Sequence, residues 1–506
     1  MLSTRVWRGV RGLLVVVAFL FPLAAAAQQP EPPTPAPVTV AHRATSTQSP
    51  AAQHAFDEGL TLLYAFNPDQ ARAAFLRAAA ADPAFALAYW GVAESYGVNV
   101  NTSFDSGGQR KGHDAIVEAQ VRESGATDAE RALIAAAAAR FAYAKQGDSQ
   151  RSADAYAGAM RAAATTFAAD DDVLTLAAES LLDDEGYEHW YSGTTPSPPV
   201  AEAVALLDAV LARDPGHIGA NHLLIHALGA TRRDDAVAAA RRLAADRFEP
   251  GAEHLAHMPS HAFMRVGAYD EAARSNVAAV ALFAADAAPD ARAHASYLEH
   301  DCEFGTWAFM MAGEYGPARS LAASCGSRSR RLAAYAAVRF DRWSDLEPDA
   351  GVTTFTHGMW SAASHKDGAA LADAKTLAAE HSAVSSVAAD LVRARVARER
   401  GDLAGEIANL EAATAKQDHL DDQEPPAWFY PVREPLGAAY FAAGRYADAE
   451  RTFNACLQAY PADPRCLYGL ATTLDRLGRT ADAAAARRAF AAAWAHADAQ
   501  LTMDSL

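Results

Sequence analysis

Apolar positions along this chain recur at helical spacing, and alternation of β-branched residues is nearly absent. Within residues 430–463 the small and apolar residues form an ordered series: Gly437, Tyr440, Ala449, Phe453 and Pro461. Residues 52–85 repeat that series as Gly59, Leu62, Ala71, Phe75 and Pro83, and residues 464–497 follow with Leu467, Leu470, Ala471, Leu474 and Ala483. The pattern predicts two helices per unit, with small residues where they cross, aromatic residues filling the gap and a proline at the end. In the middle of the chain, Asp214-Pro215 repeats Asp82-Pro83 and starts a unit at Ile218. The run from Gly267 to Ala272 has the spacing of Gly444 to Ala449, which starts a unit at Glu253. The run from Gly313 to Ala318 does the same for a unit at Glu299. Roughly nine or ten stacked hairpins are expected. Residues 99–127 and 183–199 break the pattern and are predicted to be surface loops.

The series is similar to the tetratricopeptide unit of about 34 residues. The fold class expected is therefore all-α, a tetratricopeptide-type α-solenoid wound as a right-handed superhelix. At the N-terminus, Arg5, Arg8 and Arg11 precede the apolar run that begins at Leu13, and Ala24 to Ala27 supply a small-residue cleavage pattern. Residues 1–27 read as a signal peptide, 28–50 as a proline- and glutamine-rich linker and 51–498 as the solenoid. Within the solenoid, 51–182 form the N-terminal repeats, 183–199 the loop insertion, 200–328 the histidine-rich central repeats and 329–498 the C-terminal repeats, before a tail at 499–506. Secretion through the cleavable signal peptide is expected, to the periplasm in a Gram-negative host, with no membrane span in the mature chain.

Two histidine pairs carry the candidate chemistry: His222 with His226, and His257 with His261. An H-x₃-H pair on a helix places both rings on one face, about one turn apart. In the tetratricopeptide fold, the second, fifth and ninth positions of the first helix face the concave groove. His222 and His226 take the fifth and ninth positions of the unit at Ile218, and His254, His257 and His261 take all three in the unit at Glu253. His300 and Glu303 take the second and fifth in the unit at Glu299. Helices about 8–10 Å apart can share one ion, so the four paired histidines are expected to ligate, with His254, His300 and Glu303 supporting them or substituting. Pro259 must kink or begin the helix that carries His257 and His261. Several neutral imidazoles suit a transition metal, zinc or copper, better than magnesium or calcium.

Other residues have weaker claims. Trp90 and Glu94 fall at groove positions of the unit at Ala86, though Trp90 also suits a core. Trp428 reads as the packing residue of a rigid connection between repeats. Glu303, Glu299, Asp301 or a loop residue such as His189 would be available as catalytic groups, and the 183–199 loop as a pocket wall. No HExxH, G-x-S-x-G, Walker, G-x-G-x-x-G or CxxCH motif occurs, so neither nucleotide nor haem is expected. The 4 cysteines suit an oxidising compartment. Cys302 and Cys325 mirror each other about the Gly313 turn, as Cys456 and Cys466 do about Pro461, so these are the expected disulfides. A net charge of −18 argues against nucleic acid and anionic membranes as partners.

The chain also resembles a widespread bacterial family of exported tetratricopeptide-repeat proteins, of unestablished activity, with paired H-x₃-H motifs. Residues 56–67, 88–93, 219–228, 254–261 and 424–437 carry the resemblance and span most of the mature chain. It implies the fold and supplies no activity. Gly229 departs from the family pattern, in which an acidic residue commonly follows the second histidine. The function expected is an exported scaffold that binds a peptide or protein in its concave groove and carries a histidine-rich metal site there. The alternative is a metal-dependent enzyme, a hydrolase or an oxidoreductase, acting through the same histidines.

Overall fold

A glycine facing a phenylalanine sets the separation of the helices at both ends of the chain. A Cβ on Gly59 would come within 2.7 Å of the Phe75 ring, and Gly437 stands in the same relation to Phe453. Both phenylalanines are fully buried, so the close crossing and its filler form one packing unit. In the computed structural model the described residues are 37–506, apart from 103–104, 144–146, 186–188, 230–233, 289–294 and 422. The expected signal peptide and residues 28–36 of the expected linker lie outside them.

The chain from Val38 to Leu506 is an all-α succession of helical hairpins. Pro50–Tyr64 pairs with Pro68–Ala81, Ala86–Glu94 with Ser106–Arg122, and Asp128–Phe141 with Ser149–Thr166. Asp171–Glu185 pairs with Pro198–Arg213, and Ile218–Leu228 with Asp234–Ala245. Glu253–His257 and Pro259–Val266 together form one arm against Tyr269–Ala285, and Ala295–Ala312 pairs with Tyr315–Ala322. Five further hairpins complete the chain, ending with Pro464–Arg476 against Thr480–Ala493. The described residues therefore hold more hairpins than the nine or ten read from the repeat spacing. The hairpin of Ala383–Glu399 and Leu403–Gln417 shows why: it packs through alanine and valine and lacks the glycine–phenylalanine signature.

Residues 99–127 are not a loop. Ser106–Arg122 is a helix, started by Asp105, whose carboxylate accepts hydrogen bonds from the Gly107 and Gly108 N–H groups. Its glycine-rich first turns concealed the helical period. Across 183–199 the described residues give the end of one helix, a two-stranded ribbon pairing Tyr191–Ser192 with Thr195–Pro196, and the start of the next.

Both ends of the chain are tied to its middle. Residues 38–49, expected as the end of a solvated linker, lie extended against the hairpins. Thr39 N–H donates to the Arg247 carbonyl at 2.7 Å, and buried Arg43 donates to Asp170 at 2.6 Å and to Asp172 at 3.2 Å. At the other end, Gly267 has φ +79° and abuts the Pro461 carbonyl closely, while Tyr269 OH donates to the same oxygen at 3.1 Å. The expected tail is also docked: Leu506 is buried, and Arg465 donates to the Ser505 carbonyl at 2.7 Å. Cys302 and Cys325 lie at disulfide separation, with Cα atoms 5.4 Å apart, as do Cys456 and Cys466 at 6.4 Å. Among the described residues no helix is long and apolar enough to cross a membrane.

Candidate metal centre

Gly219 brings the helix Ile218–Leu228 onto the first hairpin. A Cβ there would lie 2.6 Å from the Tyr64 ring, so only glycine permits this approach. One turn later, His222 Nδ1 donates to the Tyr64 carbonyl at 2.6 Å. That bond fixes the tautomer and leaves a lone pair on Nε2. His222 Nε2, His226 Nε2 and His254 Nδ1 are all buried with no hydrogen-bonding partner in the protein. The three rings gather closely, with centroids 4.8 Å (His222–His226), 5.0 Å (His222–His254) and 5.8 Å (His226–His254) apart. One nitrogen from each lies within 4.8 Å of the others. Phe66 covers the group from one side, 4.5 Å from His222 and 5.5 Å from His254 between centroids.

A second triad, His257, His261 and His300, lies beside the first and meets the same distance limit. The His254 and His257 rings stack at 5.9 Å across the two groups. Pro259 begins a new helix, yet His257 stays in the cluster because Met258 keeps helical dihedral angles between the two short helices. His257 Nδ1 donates to Asn276 Oδ1 at 2.7 Å, and Asn276 Nδ2 donates to the Ala272 carbonyl at 2.9 Å. The second bond orients the amide, so His257 Nδ1 carries the hydrogen and Nε2 offers its lone pair. Asp301 is buried 3.2 Å from the same Nδ1. His261 Nδ1 faces Glu424 Oε2 at 2.5 Å, and Arg265 also pairs with Glu424. Phe304 packs on all three rings.

Burial disfavours the protonated form of five of these imidazoles. It lowers His222 to about 3 and His300 to about 4, and it drives His226, His254 and His257 well below the ordinary value. Burial pushes Asp301 well up, with Glu253 adding to the effect. Burial also raises Glu424, but hydrogen bonds and charge from His261 and Arg265 outweigh it and hold that carboxyl low. A cavity of about 690 Å³ opens beside the rings, lined by His226, His254, His257, His261 and His300, with Glu424 and Asn101 at its edge.

The structure regroups the expected ligand set. His222, His226, His257 and His261 do not form one four-ligand site; they divide between two triads, which His254 and His300 complete. Glu303 joins neither, because Arg328 and Arg331 hold it, the latter at 3.1 Å. Glu299 is likewise engaged, with Arg328 at 3.2 Å, and His189 is exposed. Trp90 is 1% exposed and packs on Phe56, so it is core and no groove residue. Glu94 is buried in an ion pair with Arg140 at 2.6 Å. No described residue of the 183–199 loop lines the cavity, which Asn101, Thr102, Gln423 and Glu424 help to wall instead. Glu424, Asn276, Phe66 and Phe304 are the site residues that sequence reasoning missed. Of these, Phe66 lay within residues 56–67 and Glu424 in the connection packed by Trp428, which is buried; both stretches had been singled out without naming these residues.

A tetratricopeptide repeat family model matches residues 433–473. Among curated proteins no match was found. Similar solved structures include the human IFIT1 dimer with m7Gppp-AAAA, at 11% identity and TM-score 0.27, covering 76% of this chain and 86% of that one. The P58(IPK) TPR domain matches at 14% identity and TM-score 0.19, over 78% of this chain and 98% of that one. Naa15/Naa10 bound to HypK-THB matches at 14% identity and TM-score 0.22, over 87% and 63%. The fold is an all-α succession of hairpins, of which residues 433–473 match the tetratricopeptide repeat.

Proposed function

We propose that the chain is a tetratricopeptide scaffold that binds a peptide or protein segment and holds a transition metal, zinc or copper, in its central hairpins. The observation that carries the metal reading is the set of three buried, unpartnered ring nitrogens on His222, His226 and His254. Leaving buried polar atoms unpaired costs on the order of 1–3 kcal/mol each, a cost that coordination to a cation removes. Three neutral imidazoles suit zinc or copper. His257, His261 and His300 form the second ligand set, with Asn276 and Glu424 orienting its rings in the manner of outer partners at metal sites.

The peptide reading rests on the repeat architecture, which presents concave surfaces to extended chains, and on the cavity beside the rings. Two disulfide-spaced cysteine pairs and the N-terminal apolar run favour an exported protein. A second reading, a metal-dependent hydrolase or oxidoreductase, draws support from the triads themselves. Three protein ligands beside an open cavity match the arrangement that leaves a coordination position for substrate or water.

Elemental analysis of untagged protein after zinc or copper loading and dialysis tests the metal assignment. At least one retained equivalent, lost in a His222→Ala/His226→Ala/His261→Ala variant, is the expected result. Less than about a tenth of an equivalent in the parent would remove the metal from the function.

A further inference from the structure

Behind Phe304 and Glu424 lies a second cavity of about 220 Å³, walled by Tyr269, Phe304, Trp307, Trp428 and Tyr460. Two of its walls carry unmet donors. Trp307 and Trp428 are each 3% exposed, and both indole N–H groups are buried with no acceptor in the protein. Other tryptophans of this chain satisfy theirs: Trp190 donates to the Leu182 carbonyl at 3.1 Å and Trp494 to the Ala499 carbonyl at 3.0 Å. Buried indole N–H groups ordinarily find a partner, so two unmet donors on residues that line one cavity point to acceptor atoms brought by a ligand.

The lining restricts that ligand. Asp421 and Glu424 contribute carboxylates, and Arg265 is paired with Glu424. A carboxylate ligand would meet repulsion here, whereas a neutral carbonyl oxygen would not. Five aromatic faces favour an apolar body, and the volume equals that of roughly seven waters, enough for about one residue. Arg265, Gln423 and Glu424 line both this cavity and the histidine cavity, so the two adjoin.

We infer that this cavity seats one aromatic or large aliphatic residue of a bound peptide, whose neutral amide carbonyls accept from the Trp307 and Trp428 indoles. The neighbouring residue of that peptide then enters the histidine cavity past Glu424. The inference rests on the peptide-binding reading above and names the residue class it selects.

Calorimetric titration of the full chain, freed of metal by a chelator, with N-acetylphenylalaninamide and with N-acetylphenylalanine tests it. Saturable binding of the amide, at least tenfold tighter than the free acid, is expected. Trp307→Phe and Trp428→Phe keep the apolar walls and remove one donor each, and each should weaken the amide about 5- to 10-fold. Should either variant fail to fold, Ala427→Leu, which narrows the cavity and spares both indoles, should weaken the amide at least tenfold instead. No saturable binding, equal binding of the free acid, or unaltered affinity in the variants would overturn the inference. Zinc uptake by the same variants reads the metal assignment separately: its failure with amide binding intact removes the metal alone, and the reverse removes the pocket alone.

Discussion

His257 Nε2 lies 2.9 Å from His261 Nε2, and each ring is anchored through its other nitrogen, to Asn276 and to Glu424. His257 Nδ1 already carries its hydrogen, so the facing Nε2 is a lone pair. His261 meets an ionised Glu424 through Nδ1, which places a hydrogen there too. Only a further proton on His261 Nε2, or a cation that both nitrogens share, makes the contact attractive.

Metal uptake at this triad should therefore depend on the anchors of both rings, which calorimetric titration of zinc into parent and variant chains checks. Glu424→Gln removes the anion that supports this arrangement and should weaken zinc binding at the second triad about 10- to 100-fold.

The two triads should respond independently to mutation. His222→Ala and His226→Ala strike one ligand set, so the double variant should lose little beyond the more damaging single change. His222→Ala combined with His261→Ala strikes both sets and should cost one equivalent more of bound metal than either alone. Metal stoichiometry by elemental analysis decides this, and identical behaviour of the two double variants would restore a single shared site.

Stability of the metal-free protein should depend on pH through the buried rings. His222 titrates at about 3 when folded against an ordinary 6.5, so between those values the unfolded chain holds a proton that the folded chain refuses. Its contribution is complete above pH 6.5 and is lost as pH falls toward 3. His222→Asn keeps a donor for the Tyr64 carbonyl and removes the titration. Urea unfolding from about pH 7 down to pH 4 should show the parent losing stability more steeply than the variant, by a few kcal/mol over the range. Parallel profiles would show that His222 takes its proton at an ordinary pH in the folded chain.

Gly219→Ala should damage fold and site together. The added methyl meets the Tyr64 ring, so the helix Ile218–Leu228 must retreat and His222 must lose its bond to the Tyr64 carbonyl. Destabilisation of about 1–3 kcal/mol is expected by thermal or urea unfolding, with weakened metal binding at the first triad. Unchanged values for both would mean that the ring yields without cost.

Much of the fold was legible because it is local. Gly437 facing Phe453, and Gly59 facing Phe75, are contacts within a hairpin, and their spacing along the chain encodes them. The histidine stripe was legible for the same reason, since positions one turn apart share a face. Its division into two triads was not, because it depends on how far apart three neighbouring helices settle. Glu424 was out of reach: it lies 163 residues from His261 and meets it only because the chain returns upon itself. Trp90 misled because a position facing the groove in an open superhelix is covered here by Phe56 and its neighbours. The helix Ser106–Arg122 was missed because its capping aspartate and following glycines read as a turn.

The return of both termini changes how the molecule must come apart. An open solenoid touches only its neighbours, so its units can fray or form one at a time. In this chain Arg43 grips Asp170 and Asp172, Tyr269 reaches Pro461, and the Tyr315 N–H donates to Asp498 across 183 residues. The segment around Arg43 must wait for partners made more than a hundred residues later, which gives the chain a late closing step. Once closed, loss of an end hairpin opens the middle as well. Denaturation should then proceed as one broad cooperative event, and a truncation at either end should lower the stability of hairpins it never adjoins in sequence.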